Sequence, residues 1–405
     1  MRYLLLRLKR FCGFIAGFVF FIGGLLKLMD PVGAGLVMKE YLEFLHAGFL
    51  AFAAKPLGVL FALAESTIGT GLITGVWRKT TAVAAMILQA FFTLLTLLLV
   101  IFNPEMDCGC FGEAIHLTHM QTFVKNLILC AMLAAYYFPA RRLGFPKKIK
   151  YVSFGVVTLS VIAFTVYSWI FIPLVDFTAY KPAAALKAGH AFAIEDSDIY
   201  ESVFIYEKDG IEEAFSLGHL PDTTWNFVRT ETVAREGYTS EELLDLSIYN
   251  SNGDYMDETA SEGRILIVSV YNTDMKARRW DRIAQFLLDG EEADFKTMLL
   301  VSATEEQFDN ALSKLAPETA HILKAHALFS DYKTLISMNR SNGGVTYFSN
   351  GYLIRKGAHK ALPDIEEMKE VHDEDETETI IGQSTRGSLA FQGFLLYVSA
   401  IMLLL

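Results

Sequence analysis

The chain has 405 residues, 52% of them apolar and 20% charged, and a formal net charge of −11. Its mean hydropathy is +0.32, too apolar for an ordinary soluble protein, in which about a quarter of residues are charged. The acidic balance excludes the basic surface that a nucleic-acid partner requires.

A helix needs about 20 apolar residues to cross a bilayer. Stretches of that kind lie at 11–29, 56–76, 80–102, 120–139, 151–174 and 388–405. The first follows Arg2, Arg7, Lys9 and Arg10, a start that secretory signals share. Its apolar run continues to Leu28 with no A-x-A site behind it, so it is expected to stay as an anchor. Lys27 lies near its end and can snorkel. The segment 31–50 is only partly apolar and is expected to form a lipid-edge or re-entrant helix.

Basic residues set orientation. They cluster at the N-terminus, at Arg78 and Lys79, and at Arg141, Arg142, Lys147, Lys148 and Lys150. Alternating spans put all three clusters on one side, the cytoplasm. The loop 103–119 carries Glu105, Asp107 and Glu113 and no Lys or Arg, so it is expected outside, with 176–386. The sequence thus predicts a multi-pass protein of the cytoplasmic membrane with its N-terminus inside and its soluble domain extracytoplasmic.

Four cysteines occur. Cys108 and Cys110 flank Gly109 in the outer loop, where an oxidising compartment favours disulfides. A bond across one residue closes a small ring, and strained, exposed disulfides are the labile ones. The pair is therefore a candidate redox centre; a structural staple is the bland alternative. His116 and His119 follow, and Cys108, Cys110, His116 and His119 together would suit zinc or copper by ligand type, although the spacing matches no common zinc motif. Cys130 and Cys12 lie about 15 Å and about 25 Å below the outer face at 1.5 Å per helical residue. They are beyond the ~7 Å Cα separation of a disulfide and are expected to be buried thiols.

Glu65 falls near the middle of the second span. An acid at that depth faces the bundle interior. It is a candidate proton relay or cofactor contact, or else a packing hydrogen bond, with Gln89 and Asn126 as candidate partners.

Beyond the fifth span, 176–245 reads as β-rich, with a hairpin around Lys208-Asp209-Gly210. From 246 a strand LSIYN precedes strand 265–270, helix 275–290, strand 297–302, helix 304–315, strand 326–330, helix 332–340, a hairpin over 345–357 turning at Asn350-Gly351, and a helix around 362–371. Strands alternating with helices and ending in a hairpin give an α/β domain over 246–372, and the order is similar to the thioredoxin-like fold. The position of its C-x-x-C reads YNTDMKA, 271–277, without cysteine, and 341–345 has no proline where that fold tends to carry one. An acidic tether, 373–387, leads to the last span.

FIGGLLKLMDP (21–31) and ALAESTIGTGLITGVWRKT (62–80) resemble the first- and second-helix signatures of the DoxX family, with Glu65 at its acidic position. DCGCFGE (107–113), with Lys125-Asn126 on the next helix, resembles the MauE branch of that superfamily. The resemblance covers roughly 10–140 and implies an all-α four-helix membrane bundle over 1–140, followed by a cytoplasmic loop and fifth span over 141–175. The stretch 206–228 is most similar to a fused form that carries an extracytoplasmic thioredoxin-like domain. The family implies a redox-associated role in maturing a disulfide-rich exported protein, carried here by Cys108 and Cys110.

Three readings follow. The first is thiol–disulfide exchange with an exported cysteine-containing client, with a membrane quinone as candidate acceptor and Glu65 near its path. The second is a membrane-anchored scaffold with a structural disulfide and a non-catalytic thioredoxin-like domain. The third, a small-solute transporter, rests only on the intramembrane acid.

Overall fold

The computed structural model describes the chain except residues 1, 105, 107, 116, 141–145, 172–175, 183, 187–199, 209–210, 217–224, 235–243, 367, 370–387 and 405. His116, Arg141, Arg142 and most of the expected tether therefore lie outside the described residues. The chain forms two compact units, Met1–Thr178 with Ile381–Leu405, and Ala179–Ile380.

The first unit is helical: α1 (Arg2–Met29), α2 (Pro31–Phe44), a 3-10 turn (Gly48–Ala53), α3 (Ala54–Thr74), α4 (Arg78–Phe102), α5 (His119–Ala140) and α6 (Lys148–Ile170). Among the described residues, the segments long and apolar enough to cross a membrane are Arg7–Met29, Gly48–Thr74, Arg78–Phe102 and Lys148–Ile170. Phe14, Phe18, Leu60, Ile87, Leu94 and Ile101 are exposed around this unit. That belt would be a liability in water and is what lipid requires. The protein is a membrane protein.

The break between α1 and α2 has a local cause. Pro31 cannot continue α1 as a hydrogen-bond donor but suits the first position of a new helix. Asp30 caps that helix, its Oδ1 accepting from Val32 N at 3.2 Å and Gly33 N at 2.9 Å. The segment expected at the lipid edge is thus a separate helix, as read. Gly24 of α1 lies directly against Ala62 and Ser66 of α3, so these two helices approach closely.

The second unit holds two sheets. β2 (Tyr200–Lys208), β3 (Ile211–Ser216) and β4 (Asn226–Ala234) form an antiparallel sheet in the order β3-β2-β4. The larger sheet comprises β5 (Arg264–Val270), β6 (Lys296–Val301), β7 (Ala327–Phe329), β8 (Gly344–Ser349) and β9 (Tyr352–Gly357), in the order β7-β6-β5-β8-β9. β5, β6 and β7 run parallel, and β8 and β9 return antiparallel. The connecting helices are α7 (Ala277–Glu292), α8 (Glu305–Leu312), α9 (Pro317–Ala325) and α10 (Tyr332–Met338).

β5 is buried on both faces, and its alternation divides the core. Leu266, Val268 and Val270 pack with Trp280, Leu287, Phe308 and Leu323 of α7, α8 and α9. Ile265 and Ile267 pack on the other side with Leu246, Ile248, Leu335 and Met338. This mixed α/β sheet domain is the coarse architecture that the sequence predicts.

Two expectations fail in this unit. LSIYN is not a strand: only isolated bridges form there, through Tyr249. Ser247 has φ 48°, and the Leu246, Ser247 and Ile248 amides donate to the Asp257 carboxylate at 3.0, 3.2 and 2.6 Å instead of to a ladder. α9, in turn, was not expected from the sequence.

The last helix, α11 (Ser388–Leu404), belongs to the first unit. It packs on α6, where Tyr167 meets Phe391 with ring centroids 5.7 Å apart.

Candidate functional site

Cys108 and Cys110 occupy the turn into β1 (Cys110–Glu113), and all four cysteines are thiols in the structure. Gly109 and Gly112 both take left-handed φ, 53° and 62°. A Cβ on Gly109 would collide with Val37 of α2, and Gly112 sits against the backbone of Lys27. At Gly109 both the φ and the close approach require glycine; at Gly112 the left-handed φ alone favours it, and the CGCFG run is a turn that packs on α1 and α2. Tyr41 of α2 donates its phenolic hydroxyl to the Cys108 carbonyl and pins the turn from below.

The two thiols are not equivalent. Cys108 is 2% exposed, whereas Cys110 is half-buried. Cys108 Sγ lies 2.8 Å from His119 Nδ1 at the start of α5. His119 Nε2 lies 3.1 Å from the Pro104 carbonyl oxygen. A carbonyl can only accept, so Nε2 carries a proton, which leaves Nδ1 to accept from a thiol or, when also protonated, to donate to a thiolate. A thiol, a ring nitrogen and a carbonyl that orients the ring are thus in hydrogen-bond contact, a geometry of the kind that activates nucleophiles.

Deeper in the bundle, Lys27 of α1 donates to both Glu65 oxygens, at 2.9 and 2.8 Å. This differs from the sequence expectation for Glu65. Gln89 Nε2 instead reaches the Asn126 carbonyl at 3.3 Å, and Asn126 Nδ2 reaches Thr96 Oγ1 at 3.1 Å. Lys27 does not snorkel: a buried acid attracts a nearby cation more strongly than the interface does when both are desolvated. Cys130 lies 3.3 Å from Thr93 Oγ1, and neither it nor Cys12 is bonded to another cysteine.

Cys108, Cys110, Lys27 and Glu65 line one cavity of about 280 Å³ inside the first unit. Its walls are apolar, with Phe61, Phe91 and Phe92 on one side. Lys125 also lines it and lies 4.7 Å from the Phe111 ring centre.

Among the described residues, no cluster of three His, Cys, Asp or Glu side chains is placed to hold a metal. His119 engages Cys108, and His116, the fourth member of the expected ligand set, lies outside the described residues.

The second unit has its own cleft, of about 530 Å³, beyond the carboxyl ends of β5 and β6. Tyr271, Asn272, Gln307, Asn310 and Tyr332 line it. The loop after β5, where the C-x-x-C of a thioredoxin-like fold would fall, carries none of the cysteines. It is braced instead by Asn342, whose Oδ1 accepts from Tyr271 N at 2.8 Å and Asn272 N at 3.0 Å. Burial pushes the Tyr271 phenol up to about 12, with Tyr332 adding to the shift, so it is a neutral hydrogen-bonding group at ordinary pH.

Residues 3–139 match the family model of methylamine utilisation protein MauE. The match spans the helices α1 to α5 and the CGCFG turn, so the cysteine pair, His119, Lys27 and Glu65 all belong to the MauE-like bundle. Residues 200–236 match a domain of unknown function, DUF8463, and coincide with the three-stranded sheet. No curated protein and no solved structure matches the chain. Sequence reasoning found the cysteines and Glu65 but missed the roles of Tyr41, Lys27 and His119. The only signal for Lys27 was its place inside the FIGGLLKLMDP stretch.

Proposed function

We propose that the MauE-like bundle carries out thiol–disulfide exchange through Cys108 and Cys110, on the extracytoplasmic side of the cytoplasmic membrane, in support of exported proteins that contain cysteines. The observation that carries this reading is the pairing of a half-exposed Cys110 with a buried Cys108 held against His119. In the closed form a client thiolate attacks the reachable sulfur, Cys110. The Cys110–Cys108 bond breaks and Cys108 leaves as thiolate, which an imidazolium at His119 stabilises. A better-stabilised leaving thiol speeds exchange. A second client thiolate then attacks the client's own sulfur in that mixed disulfide, Cys110 leaves, the client disulfide forms, and both bundle sulfurs are left reduced.

The description of the matching family points to methylamine utilisation. The exchange reading gives such a bundle a maturation role and assigns no amine substrate to this chain. The second unit is read as the client-binding part. Its parallel strands followed by an antiparallel hairpin support a thioredoxin-like fold, and the lack of cysteine in the 271–277 loop supports recognition without chemistry of its own.

The test is trapping. Cys108→Ser should accumulate a mixed disulfide between Cys110 and an exported protein, visible on non-reducing gels and lost on reduction. Cys110→Ser should trap far less, because the remaining sulfur is buried. If neither variant traps anything in oxidising medium, exchange is excluded and the scaffold reading with a structural pair takes its place.

A further inference from the structure

The cavity beneath the cysteines has features that exchange with a client does not use. Exchange needs a sulfur reachable from water. It does not need an apolar chamber with an ion pair in its wall. Small-molecule sites are typically about 300–1,000 Å³, apolar, with a few polar groups that orient the ligand. This one, near 280 Å³, falls at the lower edge, enough for one ring system and too small for a folded peptide segment.

Its chemistry narrows the ligand further. Phe61 stacks on Phe91 at 5.8 Å with planes 15° apart, and Phe92 is tilted beside them at 6.4 Å. Flat aromatic ligands suit such a wall. Phe91 and Leu45 both line the cavity and are each 44% exposed on the outside of the bundle. At these two residues the cavity wall is also apolar outer surface of the bundle. A ligand that enters there is lipid-soluble.

We infer that this cavity binds the head of a membrane quinone and that the quinone reoxidises the Cys108–Cys110 pair. The inference rests on the exchange reading above and supplies the oxidant that repeated turnover needs. The balance closes without further reagents. Two S–H bonds break and the Cys108–Cys110 bond forms; two electrons and two protons pass to the quinone, whose two carbonyl oxygens become the hydroxyls of a hydroquinone. His119 takes the Cys108 proton on its way to the quinone. Lys27 has three N–H donors and directs two at Glu65. The third can hold a quinone carbonyl and stabilise the negative charge that develops there as electrons arrive. Glu65 holds Lys27 in place, as a positioning residue.

The experiment uses the full-length protein in phospholipid nanodiscs free of quinone. The pair is reduced, the reductant removed, and decylubiquinone added. Hydroquinone formation is followed by absorbance, and the state of Cys108 and Cys110 by alkylation and mass spectrometry. One hydroquinone should form per dithiol, as a two-electron couple demands, and both sulfurs should become resistant to alkylation. Cys108→Ser and Cys110→Ser should form none.

Leu57→Trp adds bulk inside the cavity wall and should raise the quinone concentration for half-maximal rate by about tenfold, the equivalent of one good packing contact. The paired change Lys27→Met with Glu65→Leu removes the donor without stranding a charge, and should slow hydroquinone formation while glutathione disulfide still closes the pair at the parental rate. If glutathione disulfide oxidises the pair and decylubiquinone does not, the quinone site is overturned and exchange stands. If neither oxidises it, both fall. If Leu57→Trp and the paired change both react like the parent, the ligand does not bind in this cavity.

Discussion

The Lys27–Glu65 pair and the Cys108–His119 pair are two polar contacts of the candidate site, one ionic and one between a thiol and an imidazole. Both ionic side chains are largely withdrawn from solvent, at 15% and 8% exposure, in a segment that crosses the membrane. A buried pair is often no more stable than apolar residues of the same volume, but removing one partner strands the other charge. Glu65→Leu alone should therefore cost about 3–5 kcal/mol, read as a loss of resistance to denaturant in detergent. Lys27→Met with Glu65→Leu should recover most of that loss. Equal destabilisation by the single and the paired change would mean that the two side chains do not depend on each other. The cysteine pair behaves differently, because its partners are chemical before they are structural. Pro104 fixes a proton on one nitrogen of His119, and the state of the other decides whether Cys108 meets an acceptor or a donor.

The hairpin of the second unit carries a pH dependence whose sign follows from His359, just past β9. Burial, with Arg279, Lys360 and Arg282 close by, pushes its imidazole down to about 4 from 6.5. Between those values the unfolded chain binds a proton that the folded one refuses, so stability rises with pH there. It is lost as pH falls through the folded value, and above about 6.5 this group adds no slope. Hydrogen exchange of the β8 and β9 amides, corrected for intrinsic rate, should give opening free energies that climb between about pH 4 and 6.5, and His359→Gln should flatten the climb. An unchanged slope in that variant would assign the effect to another group.

Such local features were poorly legible in the sequence, while the bundle helices were plain. Lipid forces every span to be a long apolar run, but partners across helices obey no such rule: Lys27 and Glu65 are 38 positions apart and meet only once α1 and α3 have been packed. The misread strand at 246–250 has the right alternation but a Ser247 backbone that leaves the β region and a carboxylate, Asp257, that takes its amides. α9 escaped because it is short and its cap is Ala316, with no side-chain hydrogen bond to announce it. Gly109 and the cysteines were legible because the residue types themselves carry the chemistry.

Orientation decides whether any of this chemistry can occur. The sulfur pair acts on exported clients only if the CGCFG turn and the second unit face the oxidising side, which the charge of the loops predicts. Lys and Arg mark the loops at 77–79 and 141–150, while 103–119 has none, and basic loops stay in the cytoplasm. Thr80, Thr118 and Ser251 are exposed positions that report on the three regions separately. In a background with all native cysteines replaced, Thr118→Cys and Ser251→Cys should react with a membrane-impermeant maleimide added to intact cells, and Thr80→Cys only after the membrane is opened. The inverted pattern would place the cysteine pair in the reducing cytoplasm, where glutathione keeps thiols open. Oxidation of exported clients would then be impossible, whatever the quinone experiment gave. Labelling at Thr118 without Ser251 would separate the two claims differently. The turn would face outward and the second unit inward, an odd number of spans would separate them, and the client-binding role of that unit would fall alone.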